Sequence, residues 1–413
     1  MSGRSGGAET ARKKEEVLKK EEKTATEMDI YKLFTRERGV PLSQKVIQYI
    51  QKVLSPETME VYADIIRANY TGGILTEKEI DAAVKNRVKE RQKIEVHPVQ
   101  YRPEGVERYR VLKERVLAQK TSIVALKEGV KCMIFGMARV LDDGTLEIED
   151  EDESVRVARI EKGEFFISRG VCAGFEGRLE KDGFVVEDIH LPSKNHSQSQ
   201  THRTNFIVVS QFVASQENIG KVGNILKVYT DYEIEISAVV LMMSDAESTA
   251  NVQSKLESTL LKDYKSIDFI VIPGIGKRYF YPHGECRSHK NLKIATNPAE
   301  IVIDKSVFLA GLFDLVDGIK EESVIQGSFR QELGRVFLTQ ASFNPFITYT
   351  DLSYTGPITG VIIGDRYDCF THKEDDQVFT ICGDFQKSEG QFLFYNGSEN
   401  NFEICSASGM AAE

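Results

Sequence analysis

The chain has 413 residues, 41% hydrophobic and 28% charged, and a formal net charge of −10. That is enough for two or three domains with a sizeable core, and it excludes a general nucleic-acid coat, which needs a basic footprint, though not a local basic face. Nothing approaches the roughly 18 consecutive apolar residues of a membrane span, and "MSGRSGGAETARKKEEVLKK" has no apolar h-region, so no secretory signal is expected.

Residues 1–28 read as a flexible charged arm, because basic and acidic clusters alternate with few apolar residues. Residues 29–92 read as a small all-α domain. Leu42, Val46, Ile47, Ile50, Val53 and Leu54 recur at helical spacing. Ser55 and Pro56 suit an N-cap and first helical position, Gly72-Gly73 break the pattern, and Thr76 with Glu79 are spaced as a capping box. Residues 93–120 form a connecting segment and a helix, "VERYRVLKERVLAQ".

The period changes over 121–192. Short β-rich runs, "GVKCMIFGMARVL", "GTLEIED", "ESVRVARI", "EFFISRGVCAGFEGRLE" and "GFVVEDIHL", are punctuated by Gly and Asp. They predict a small barrel or sandwich, for which an OB-type barrel is one solution among several. The polar stretch 193–205 reads as a linker. Over 206–404, β-branched runs such as Ile207-Val208-Val209 and Ile270-Val271-Ile272 predict strands buried on both faces. Helical stretches such as "NVQSKLESTLLKDY" lie between them, which points to a layered α/β domain. Residues 405–413 are a tail. The six cysteines, Cys132, Cys172, Cys286, Cys369, Cys382 and Cys405, include no C-x-x-C and read as reduced thiols of cytosol or nucleus.

Several stretches imitate active sites. "DFIVIPGIGKRYFYP" ends a strand in a basic glycine loop, but Arg278 follows Gly276-Lys277 and Val271 holds the earlier glycine slot of a P-loop. Tyr279 stands where a dinucleotide loop needs its third glycine. His283, Cys286 and His289 are metal-ligand types three residues apart, yet no second pair lies nearby to complete a zinc site. "LEIEDEDES" lacks the spacing of a calcium loop and reads as an acidic hairpin tip. In "FDLVDG", Asp314 and Asp317 imitate the G-D-x-x-D-G of binuclear phosphoesterases, but Phe313 replaces the leading glycine, so a surface helix turn is the better reading.

The order of these regions coincides with particular motifs. "RGVPLSQKVIQYIQKVL", "ERYRVLKERV", "KCMIFGMARVLDDGTLEIED", "FIVIPG", "ATNPAEIVI" with its Asn297-Pro298 pair, "VIIGDRYDCFT" and "TICGDFQKSEGQFLFY" resemble the B-subunit family of replicative DNA polymerases, its DNA polymerase epsilon branch in particular. The resemblance covers about residues 30–404. It implies a multidomain α+β chain: a small all-α N-terminal domain, an OB-type β-barrel, and a calcineurin-like phosphoesterase α/β domain lacking its metal ligands. An active phosphoesterase needs D-x-H, G-D, G-N-H-D and G-H-x-H to hold two metals. The corresponding slots hold Gln211 and Val213, then Met243 and Ser244, then Gly274, Ile275, Gly276 and Lys277, then Ala341 and Ser342. A slip of one or two residues would bring Asp245 near the second slot, and one aspartate does not hold two metals.

What the resemblance implies is a nuclear, non-catalytic accessory subunit without metal or cofactor. Its partners would be the C-terminal zinc-bearing region of the catalytic subunit of DNA polymerase epsilon and, through GINS, the replicative helicase. A small subunit of polymerase alpha or delta, and an active metal-dependent phosphoesterase or nuclease, are the alternatives. Tyr279, Phe280, Tyr281, Phe343, Phe346 and Tyr349 are candidates for a partner interface, or equally for packing under loops. Phe135, Phe165, Phe166, Phe175 and Phe184 would be the stacking aromatics if the barrel bound single-stranded DNA, but its acidic loops would repel phosphate.

Overall fold

A computed structural model describes residues 26–54, 70, 72–81, 94–98, 106–141, 143–161, 163–194, 204–244, 249–274, 290–346 and 356–410, with Met59, Tyr62, Ala63, Ile66, Arg67 and Tyr354 between them. The chain is mixed α/β and divides into two compact units, Met1–Arg91 and Gln92–Glu413.

In the first unit the helical start comes earlier than the expected end of the arm. Thr26 caps a helix Glu27–Tyr31 in a reciprocal box with Asp29, and the coil continues as a π-helical turn, Lys32–Glu37. Helix Gln44–Val53 begins where the Ser43 hydroxyl accepts from the Val46 amide. Val46, Ile47, Ile50 and Leu54 turn inward onto Ile30 and Phe34, whereas Val53 is exposed. Thr76 and Glu79 form the capping box their spacing predicts: the Thr76 amide donates to Glu79 Oε2 at 2.8 Å, and the Glu79 amide to Thr76 Oγ1 at 3.4 Å. Ser55 and Pro56 lie outside the described residues.

The second unit opens with β1 (Ile94–Pro98), where a plain connection was expected. Five residues are a weak pattern by themselves. β1 holds because it adds to a sheet edge, where the missing N–H of Pro98 is tolerated. Helix Val106–Arg115 follows, then β2 (Lys131–Val140), β3 (Leu146–Glu149), β4 (Ser154–Ile160), β5 (Phe165–Ser168), β6 (Cys172–Glu180) and β7 (Gly183–His190). The single run "EFFISRGVCAGFEGRLE" is two strands, because Gly170 turns at φ +86°. Strands β2-β3-β4-β7-β6 close into a barrel, with β4 and β7 parallel. At the β6–β7 bulge a Cβ on Gly177 would lie 1.9 Å from the Val185 carbonyl, so only glycine fits. Ile134, Ile148, Phe175 and Phe184 fill the interior.

The rest of the unit comprises β8 (Phe206–Phe212), β9 (Ala238–Met243), β10 (Asp268–Ile272), β11 (Leu292–Ile294), β12 (Ala299–Ile303), β13 (Ser306–Leu312), β14 (Ser323–Gln326), β15 (Gly360–Gly364), β16 (Phe370–Glu374), β17 (Gln377–Cys382), β18 (Gln391–Asn396) and β19 (Asn401–Ser406). Two six-stranded sheets result, ordered β11-β10-β9-β8-β18-β19 and β1-β12-β13-β15-β17-β16. Alternate residues of β8 face opposite ways. Phe206 and Val208 join the core between the sheets, while Ile207 and Val209 pack under helix Gln216–Asp231. β8, β9 and β10 are buried along their whole length, as their continuous apolar runs predict. On the far side of the second sheet, helices Val316–Glu321 and Phe329–Thr339 cover Val361, Ile363 and Phe379. The layers therefore run helix, sheet, sheet, helix. The stretch "NVQSKLESTLLKDY" is two helices, Thr249–Glu257 and Leu260–Asp263.

Candidate functional site

Open sheets of parallel strands place chemistry at the strands' carboxyl ends. β8, β9 and β10 are mutually parallel, and so are β13, β15 and β17. The two sets finish at one edge. Ser210 bridges Asp384 in parallel, and the Phe385 amide donates to the Ser210 carbonyl at 3.2 Å.

Gln211, the first slot, sits at this edge on an irregularity of the β8–β9 ladder, between Val209 and Phe212, with φ +53°. A glutamine held in the left-handed region is a strained backbone of the kind that clusters at functional sites. Its neighbour Ser210 has a buried hydroxyl with no hydrogen-bond partner among the described residues. The sheets approach closely here: a Cβ on Gly364 would meet Ser210 Oγ at 2.6 Å and Met242 Sδ at 2.7 Å. Met243 ends β9 fully buried, and the Ser244 amide donates to the Phe212 carbonyl at 2.9 Å. Val213 offers an alkyl group and Gly274 no side chain. Ile275, Gly276, Lys277 and Asp245 lie outside the described residues.

The late slot is elsewhere. Ala341 packs with Leu112, Val116, Met133 and Phe135, between the barrel and the helix that precedes it. Ser342 is buried, and its hydroxyl accepts from the Asn344 amide. The slots thus do not all converge.

Carboxylates at the edge are engaged by the protein itself. Asp365, after β15, accepts from the amides of Leu315 and Val316 at the start of helix Val316–Glu321, and from Tyr367. Burial pushes its carboxyl above the usual range, against those three amides. Asp314 pairs with Arg366 at 3.3 Å, and Asp317 lies within the short helix. No group of three or more His, Cys, Asp or Glu able to hold a metal occurs among the described residues. His283, Cys286 and His289 lie outside them.

A second arrangement, not anticipated from sequence, ties barrel to sandwich. Arg108 is buried, and its guanidinium donates to the carbonyls of Gln340, Pro345 and Gly170 and to Gln340 Oε1. Gln340 in turn accepts from the Cys172 amide and donates to the Cys172 carbonyl, both at 2.8 Å. A side-chain amide thereby pairs with β6 as a neighbouring strand would. β14 adds a true ladder to β5, Val324 opposite Ile167. Asn297, from the noted Asn-Pro pair, does the same for β13: its side chain exchanges two bonds with Leu312, at 2.9 and 3.1 Å. Beside these ties lies a cleft of about 310 Å³, with Phe166, Leu191 and Pro192 on one wall and Glu332, Arg335 and Glu374 on the other.

Of the interface candidates, Phe343 is 4% exposed and sets its ring edge-on to Tyr354. Phe346 is half-buried against Phe166 and Phe337. Both are occupied in internal packing. Tyr279, Phe280, Tyr281 and Tyr349 lie outside the described residues. The five barrel phenylalanines, Phe135, Phe165, Phe166, Phe175 and Phe184, are all buried and present no stacking platform. Outside, Lys131, Arg159 and Arg178 are paired with Glu161, Glu176, Glu180 and Glu187. The "LEIEDEDES" tip is a turn in which Asp150 accepts from the amides of Ile123, Asp152 and Glu153.

No family model matches the chain, and no curated protein matches it. Among solved structures the chain is similar to a Thermotoga maritima protein determined by NMR in solution, with 11% identity, covering 49% of this chain and 99% of that one, at a TM-score of 0.26. At that TM-score the likeness fixes neither fold nor function.

Proposed function

We propose that the chain is a non-catalytic accessory subunit of DNA polymerase epsilon, built on a calcineurin-like phosphoesterase fold that carries an OB-type barrel and no longer holds metals. The observation that carries the reading is the strand-end edge. The slots described there carry an amide, a thioether, a hydroxyl and an alkyl group in Gln211, Met243, Ser244 and Val213. A two-metal centre needs several carboxylates and imidazoles converging on ions a few ångströms apart. Here the nearby Asp365 is consumed by backbone amides, and Ala341 is packed against the barrel.

The architecture supports the same reading. The helix, sheet, sheet, helix layering suits a phosphoesterase domain, and the barrel order β2-β3-β4-β7-β6, closed by β2 on β6 with β4 and β7 parallel, suits an OB-type barrel. Barrel and sandwich would jointly grip the zinc-bearing C-terminal region of the catalytic subunit, through a large interface with an apolar centre and polar rim. The helical first unit would face the replicative helicase through GINS, and the work would be done in the nucleus. With Lys131, Arg159 and Arg178 committed to glutamates and the phenylalanines turned inward, the barrel has fewer groups with which to hold DNA directly.

The test is co-expression with the C-terminal region of the polymerase epsilon catalytic subunit, and separately with those of alpha and delta. A stable pair with epsilon alone is the expected outcome. Recovery of no pair, or Mn²⁺-dependent cleavage of single-stranded DNA by the purified chain, defeats the proposal.

A further inference from the structure

We propose that Cys369 and Cys382 are a peroxide-oxidisable thiol pair that closes to a disulfide at the strand-end edge. β16 and β17 run antiparallel from Glu374 opposite Gln377 to Phe370 opposite Ile381. One step further, the same register sets Cys369 against Cys382. Directly opposed residues have Cα atoms about 4.5–5.5 Å apart, within the roughly 4.4–6.8 Å that a disulfide spans. The other described cysteines have no such partner: Cys132 faces Gly177, Cys172 faces Met137 and Cys405 faces Phe392.

The surroundings distinguish the two thiols. The Gly383 amide donates to Cys369 Sγ at 3.0 Å, and Cys382 Sγ lies 3.6 Å from the Val208 carbonyl. Cys369 is 8% exposed and Cys382 fully buried, so an oxidant reaches Cys369 first. The bond from Cys382, with the Gly383 amide, draws the Cys369 thiol down to about 7 against the effect of burial, while burial pushes Cys382 up. The thiolate is the nucleophile, so the less deeply buried member of the pair is also the more reactive one.

The chemistry balances with a hydroperoxide as oxidant. The Cys369 thiolate attacks the terminal peroxide oxygen and the O–O bond breaks. The departing oxyanion takes a proton from water, leaving Cys369 as a sulfenic acid. Cys382 then attacks Cys369 Sγ, the S–O bond breaks, and water leaves with the Cys382 proton. Two thiols have lost two electrons, and one peroxide has become an alcohol and water. In a reducing compartment thiol exchange reverses the bond. While closed, it pins the Asp365–Asp368 segment, whose Asp365 holds the start of helix Val316–Glu321, to β17.

The experiment treats the full chain with hydrogen peroxide and maps its peptides without reduction. Expected are a mass lower by two hydrogens and a cross-linked peptide joining Cys369 to Cys382, both reversed by dithiothreitol. Dimedone should label Cys369 in Cys382→Ala, and the wild-type peptide map decides alone if that variant does not fold. The rate of thiol loss should rise about tenfold per pH unit below the Cys369 value and level above it. Oxidation of Cys132 or Cys405 with the pair left reduced, or a disulfide mapped elsewhere or between chains, overturns the proposal.

Discussion

Gln340 offers a quantitative test of how the barrel is held. The Ala138 amide donates to the Val171 carbonyl at 2.8 Å, so the next residue, Cys172, turns its own amide and carbonyl away from β2. Both meet the Gln340 side chain, which also accepts from Arg108 at 3.1 Å. Gln340→Ala therefore orphans one buried N–H, one buried C=O and one guanidinium N–H. Each costs about 1–3 kcal/mol. Allowing for water entering the space, the expected loss is roughly 3–5 kcal/mol, a large part of the ~5–15 kcal/mol that stabilises a domain. Gln340→Met keeps the volume and removes the polar atoms, so it should lose nearly as much. Urea unfolding followed by far-ultraviolet circular dichroism reads both. If Gln340→Met falls within about 0.5 kcal/mol of wild type while Gln340→Ala does not, packing rather than hydrogen bonding joins the two parts.

Two further expectations follow from the same geometry. Gly364→Ala puts a methyl group into Ser210, Leu312 and Met242, each nearer than 3 Å, and should cost about 1–3 kcal/mol as the sheets part; an unchanged urea midpoint would mean that the sheets do not meet as described. The barrel should also weaken in acid. Lys131 holds the carboxyls of Glu176 and Glu187 below the usual range, His190 adding to the effect at Glu176, and Arg159 does the same for Glu180. Groups depressed on folding contribute stability above their unfolded value near ~4.3 and lose it as pH falls through the folded one. In low salt, a triple Glu→Gln variant should therefore lose less melting temperature than wild type between pH 5 and pH 3, and equal losses would refute the pairing.

Periodicity located the strands well where burial on both faces makes the signal continuous, as in β8 and β10. It missed β1, β11, β14, β16 and β19 because short edge strands take their identity from a partner rather than from their own pattern. Resemblance singled out Gln211, Met243 and Ser244, but the φ of Gln211 and the close approach at Gly364 were not legible, since nothing in a lone glutamine announces its backbone. Phe343 and Phe346 resembled anchors because aromatics after a helix read alike whether they face a partner or a core. Arg108 and Gln340 were invisible for a different reason: far apart in sequence, they meet only once both parts have folded.

The sheet order has a consequence for synthesis on the ribosome. β1 finds its mate β12 only after the barrel and β8 to β11 have been translated, and β8 gains its second neighbour only from β18, near the end of the chain. A nascent chain must therefore hold β8 with one open flank until β18 emerges. Ending translation before Gln391 would leave β8 with a bare margin for foreign strands to join. Loss of the last strands should thus yield aggregates rather than a shortened soluble product.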